Sequence, residues 1–67
     1  MLFTAVLTPA EKGGFIALNL ETGTTTQGET VEEAVRNLKE ATELFLEEFP
    51  THPMPHPVVT IFKIAHA

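Results

Sequence analysis

The stretch T-Q-G-E-T-V-E-E-A-V-R-N-L-K-E-A, Thr26 to Ala41, decides the fold. To its left, Gly23-Thr24-Thr25-Thr26 is β-branched and polar, which predicts a short third strand over Thr24–Gln27, broken by Gly28. To its right, Val31, Ala34, Val35, Leu38, Ala41, Phe45 and Phe49 recur at i, i+3, i+4 spacing and predict the core stripe of one helix. Thr30 suits the N-cap. Glu33, three residues on, completes a capping box, with the hydroxyl accepting from the Glu33 amide while the carboxylate reaches back. Pro50 ends the helix. Leu44 falls off the stripe and hints at a covered outer surface.

Working outward, L-F-T-A-V-L-T (Leu2–Thr8) ends at Pro9 and predicts a first strand. Pro9 to Gly14 is a turn in which Gly13 and Gly14 allow positive φ. F-I-A-L-N-L (Phe15–Leu20) predicts a second strand, antiparallel to the first because the connection is short. Both strands are apolar on both faces, so a single helix leaves one greasy face uncovered. After the helix, four prolines lie among residues 50–57 and predict an extended spacer. V-V-T-I-F-K-I-A (Val58–Ala65) predicts a last strand. The expected architecture is α+β: a β-β-β-α-β antiparallel sheet with one helix packed on one face.

A chain of 67 residues is one domain, spanning 1–67, and buries only about 60% of its unfolded surface. With no Cys and no zinc-type cluster, the remaining supplement for 43% apolar residues is another chain, so a homodimer or tetramer is expected. The net charge of −5, with only Lys12, Arg36, Lys39 and Lys63 as cations, argues against direct nucleic-acid binding and favours a basic partner. No segment has the roughly 20 apolar residues of a membrane span, and the first residues lack a signal-peptide pattern; the expected location is cytoplasmic. Without Ser or Cys there is no such nucleophile, and no base flanks a Thr hydroxyl.

The residues Gly13-Gly14-Phe15-Ile16-Ala17, and then Gly23-x-x-x-Gln27-Gly28-x-Thr30-x-Glu32-Glu33-Ala34-x-x-Asn37-Leu38-Lys39-Glu40-Ala41, resemble the N-terminal domain of HicB-type antitoxins. The resemblance covers about two-thirds of the chain, from the first strand to the end of the helix. It implies a degenerate ribonuclease-H-like fold and association through sheet and helix surfaces. It also implies the role of binding and inhibiting a small basic RNA-cleaving toxin of the HicA type. Asn19-Leu20-Glu21-Thr22 stands where that family usually carries prolines, and Thr24 where it carries Cys or a small apolar residue. No C-terminal DNA-binding domain is expected, so autorepression is not carried over. The second functional expectation is an orphan oligomeric module that binds another protein or a small ligand without a toxin.

Candidate sites follow from these readings. A two-metal nuclease needs carboxylates converging from strands. There is no Asp, and the nine Glu fall in turns or on the helix, so the expectation is no enzyme, no metal and no cofactor. His52 and His56 share H-x-x-x-H spacing, but the surrounding prolines deny them a common helical face. Gly13, Gly14 and Gly28 lack a phosphate-loop setting and are structural, as are Thr30 and Glu33. Thr24, Thr25, Thr26 and Leu44 are the expected partner-binding residues, the threonines because a polar edge strand pairs with another backbone.

Overall fold

The computed structural model describes residues 2–50 and 57–65. It is an α+β fold. Three strands, β1 (Val6–Pro9), β2 (Phe15–Leu18) and β3 (Thr25–Gly28), form an antiparallel sheet in the order β1-β2-β3, and the helix α1 (Val31–Glu48) packs on one face. The register aligns Leu7, Ala17 and Thr26 across the sheet, and also Pro9, Phe15 and Gly28. Side chains alternate along a strand, so Leu7, Phe15 and Ala17 all reach the helix side. The core there is Ala17, Ala34 and Leu38, with Leu7 and Phe15 against it.

Why this core is so thin is visible in its residue types. Ala17 and Ala34 are fully buried, which brings the helix close to the sheet. Gly28 carries the approach to its limit: a Cβ there would lie 2.4 Å from the Ala34 nitrogen. Gly28 thus does not break the third strand, as expected, but closes it, opposite Phe15. Gly14, at φ 76°, likewise meets the Gly28 carbonyl, where a Cβ would fall at 2.6 Å. Two glycines, one in each strand junction, let the hairpin, β3 and the helix start share one small volume.

The helix begins as the capping pattern requires. Thr30 is extended and its hydroxyl accepts from the Glu33 amide at 3.1 Å. The Glu33 carboxylate reaches one residue further than a simple capping box, accepting from the Glu29 amide at 2.7 Å.

At the other end of the sheet, Asn19 organises the β2–β3 turn. It is 1% exposed. Its amide nitrogen donates to the Thr4 carbonyl and to Glu21 Oε1, both at 2.8 Å. Its Oδ1 accepts from the Thr22 amide (2.9 Å) and hydroxyl (2.7 Å). The Glu21 carboxylate in turn accepts from the Thr4 amide and hydroxyl at 2.7 and 2.6 Å. A side-chain network stiffens the turn here without proline, and ties residue 4 beside β2.

The strand limits differ from the expected ones at the ends. β1 runs Val6–Pro9 rather than Leu2–Thr8; a proline is tolerated because β1 is an edge strand. β2 stops at Leu18, where the Asn19 turn takes over, and β3 occupies Thr25–Gly28. The larger correction concerns Val58–Ala65. No strand forms there: residues 57–65 lie outside regular structure and are all exposed, Ile61 at 97% and Val58 at 91%. A strand exists only through its ladder partners, and this segment pairs with neither edge of its own sheet. The described order is therefore β-β-β-α. The spacer residues 51–56 lie outside the described residues.

The helix also leaves part of its apolar stripe uncovered. Val31 and Val35, expected in the core, are 40% and 39% exposed. The apolar stripe of α1 is wider than the three strands beneath it. The chain as a whole exposes 5590 Å², against about 4,200 Å² for a compact chain of 7.3 kDa. Its radius of gyration is 13.6 Å, where a compact domain of this length has roughly 11 Å.

Candidate functional site

The excess surface is not evenly spread. Along α1 the successive 100° turns place Val35, Lys39, Thr42 and Leu46 on the β1 flank, and Asn37 on the β3 flank. The helix packs mainly over β3 and β2, and between it and residues 3 and 4, which precede β1, lies a groove of about 380 Å³. Its floor and walls are Phe3, Thr4 and Asn19 from the sheet side and Val35, Leu38, Thr42 and Leu46 from the helix. Lys39 and Glu43 edge it. Thr42 is 6% exposed, and its hydroxyl has no hydrogen-bond partner. A buried, unpartnered hydroxyl is costly to leave unmade, so its position in the wall of an open apolar groove marks that groove as incomplete.

The β3 edge is different. Asn37 Nδ2 donates to the Gln27 carbonyl at 2.8 Å, and Thr26 Oγ1 donates to the Ala34 carbonyl at 3.1 Å. The helix therefore already clamps this strand. Of the three threonines, Thr24 bonds the Thr22 hydroxyl at 2.6 Å and is half-buried, Thr26 is turned to the helix, and Thr25 alone is exposed. The sheet face away from the helix carries Val6, Ile16 and Leu18, with Thr8, Thr25 and Gln27 beside them in register.

Leu44 is 64% exposed on the back of the helix, in an open surface with Glu40, Glu43, Leu46 and Glu47. Ten residues separate it from Ala34, which touches Thr26, so the Thr strand and Leu44 lie about 15 Å apart along the axis. They do not form one patch. Phe49 continues the apolar surface at the helix end, 59% exposed with its ring 5.1 Å from that of Phe45.

None of the strand residues carries a carboxylate, and no group of three His, Cys, Asp or Glu able to hold a metal occurs among the described residues. His52 and His56 lie outside those residues. Gly13, Gly14 and Gly28 share a shallow polar surface with Gln27, Glu29 and Glu33, whose acidic lining is unsuited to an anion. Among the described residues one ionisable group is clearly shifted. The Thr4 hydroxyl and then the Thr4 amide hold the Glu21 carboxyl below the usual carboxylate range, with a lesser contribution from Asn19 and against an opposing effect of desolvation. No helix among the described residues is long and apolar enough to cross a membrane.

Sequence reasoning missed Asn19 and Thr42. The signal for Asn19 was present, as a lone amide closing the apolar run F-I-A-L-N-L ahead of a turn. Thr42 gave none, because its burial depends on where the helix meets residues 3 and 4.

Comparison with known proteins gives a family and a relative. Residues 5–60 match the model of a family of unknown function, DUF7387. The chain is similar to a UPF0150 protein of Helicobacter pylori strain J99, 46% identical over 46 residues. That match takes in 69% of this chain and 64% of the relative. No solved structure matches.

Proposed function

The chain belongs to DUF7387, a family of unknown function, and from that premise we propose that it is a self-associating, protein-binding module of the HicB antitoxin type. Its ligand is a small basic RNA-cleaving toxin, which it inhibits by covering the toxin's RNA-binding surface. The observation that carries the reading is large apolar side chains left exposed on an acidic chain: Leu44, Phe49, Val58, Ile61, Phe62 and Ile64 all stand in water, on a chain whose total surface is about 1,400 Å² more than a compact chain of this mass exposes. One partner in a standard stable interface contributes about 800 Å², so the excess is enough for one such interface.

Charge supports the choice of partner. A toxin that binds RNA is basic, and a −5 chain attracts it. The surface best suited to it is the back of α1, where Leu44 stands among Glu40, Glu43 and Glu47: an apolar anchor ringed by carboxylates. The HicB-like signature Gln27-Gly28-x-Thr30-x-Glu32-Glu33-Ala34 builds the frame that presents this helix, through the Gly28 contact and the cap. It supplies no catalytic group, and the proposed role is binding alone.

The test is co-expression with a small basic protein encoded beside this chain. Copurification, with loss of that protein's RNA cleavage in the complex, supports the reading. A chain whose gene has no such neighbour, or whose neighbour cleaves RNA equally well in its presence, overturns it.

A further inference from the structure

We propose that Val58–Ala65 is an exchanged strand: each copy of the chain seats this segment on the β1 edge and in the adjoining helix groove of a second copy. The proposal rests on the self-association part of the reading above and specifies its interface.

Four observations converge on the occupant. First, the segment itself is built as a strand and has no sheet. It alternates Val58, Thr60, Phe62 and Ile64 against Val59, Ile61, Lys63 and Ala65, yet all lie exposed and unpaired in one chain. Second, β1 is an open edge, and the groove near it is unfilled: Val35 is exposed there, Thr42 has a buried hydroxyl without a partner, and the groove walls are Val35, Leu38 and Leu46. An incoming backbone supplies what that site lacks: apolar side chains for the groove, and an amide within reach of a hydroxyl that needs a partner. Third, the other edge is less available, since Asn37 already occupies a β3 carbonyl.

The fourth observation separates a second copy from the chain's own segment. A strand docked on its own sheet has the helix over one face and water on the other. Val58–Ala65 is apolar on both faces, the pattern of a strand covered on both sides. A second cover is offered by the outer sheet face of another subunit, with Val6, Ile16 and Leu18, and the segment's position off its own sheet is what favours exchange over docking at home. Exchange also meets the symmetry requirement. Each chain gives one strand and receives one, so the contact is self-complementary and closes at two copies.

The test uses the full chain in a half-labelled sample. Isotope-labelled and unlabelled copies are unfolded together, refolded, and read by isotope-filtered NMR. Contacts from Val59 and Ile61 of one copy to Val35, Leu38 and Leu46 of the other are expected. The same contacts found only within one copy overturn the exchange, and so does the absence of contacts between the segment and that groove. A dimer with within-copy contacts overturns the exchange while leaving self-association in place; toxin binding is read separately by copurification. As a second arm, Ile61→Asp with Phe62→Asp raises the dimer dissociation constant by about 100-fold or more, because two buried apolar anchors are lost. An unchanged constant overturns the proposal. Should that double variant fail to fold, the labelled wild-type sample alone decides.

Discussion

Gly28 and Asn19 hold more of this structure than their size suggests. A methyl at Gly28 meets the first turn of the helix at 2.4 Å, where backbone and not a flexible side chain must give way. Gly28→Ala is expected to lower stability by about 1–3 kcal/mol or more, read as a lower urea midpoint with unchanged slope. Asn19→Ala leaves the Thr22 amide and the Thr4 carbonyl without their partners, and is expected to cost about 1–3 kcal/mol by the same measurement. Glu21 gives the pH dependence. Its folded pKa is depressed, chiefly by the Thr4 hydroxyl, so its contribution is present above the unfolded value and is lost as pH falls through the folded one. Glu21→Gln is expected to flatten the acid limb of the stability profile and leave its alkaline limb unchanged. A wild-type and variant pair with parallel acid limbs contradicts the assignment. At this scale the sequence was legible where chemistry is local. Thr30 and Glu33 announced a cap from their spacing alone. Gly28 announced a special position but not its reason, because the reason is an atom of Ala34 brought there by the fold.

At the level of elements the same division holds. The helix was readable nearly to the residue, since a cap, a 3.6-residue period and a proline all mark it independently. The strands were readable as existing, and less so in extent. Leu2 to Ala5 are as strand-like as Val6 to Pro9, and only pairing with the short β2 decides between them. Val58–Ala65 shows the limit most clearly: the residues favour a strand, but a strand needs an edge, and the edge is not in the local sequence. The helix prediction at this scale concerns the cap. Thr30→Ala removes the acceptor for the Glu33 amide and is expected to cost about 1 kcal/mol, read by thermal or urea unfolding followed at the helix signal. Of the residues expected to meet a partner, Thr24 and Thr26 are half-buried and held by internal hydrogen bonds, while Thr25, whose hydroxyl donates to the Gly23 carbonyl, and Leu44 are exposed. That outcome was hidden in the sequence because three identical residues in a row differ only in which side of the sheet they face.

For the whole molecule, the governing fact is a mismatch between apolar content and size. Five large apolar residues of the last segment stand in water, at 55% exposure or more, and the groove between α1 and residues 3 and 4 is unfilled. Burying such side chains stabilises by about 1.5–3 kcal/mol each, comparable in sum to the whole stability of a small domain. In the proposed dimer a second copy removes this surface, and the acidic back of α1 then faces outward for the proposed basic partner. Because that contact joins opposite charges at an exposed surface, its association rate is expected to fall steeply with added salt. Leu44→Asp is expected to weaken toxin binding without altering self-association, measured by titration of the two proteins and by sedimentation. The most direct measurement is the mass of the protein alone, by sedimentation equilibrium across micromolar concentrations. The account predicts at least twice the single-chain mass of 7.3 kDa. A folded species that stays at the single-chain mass as concentration rises contradicts it.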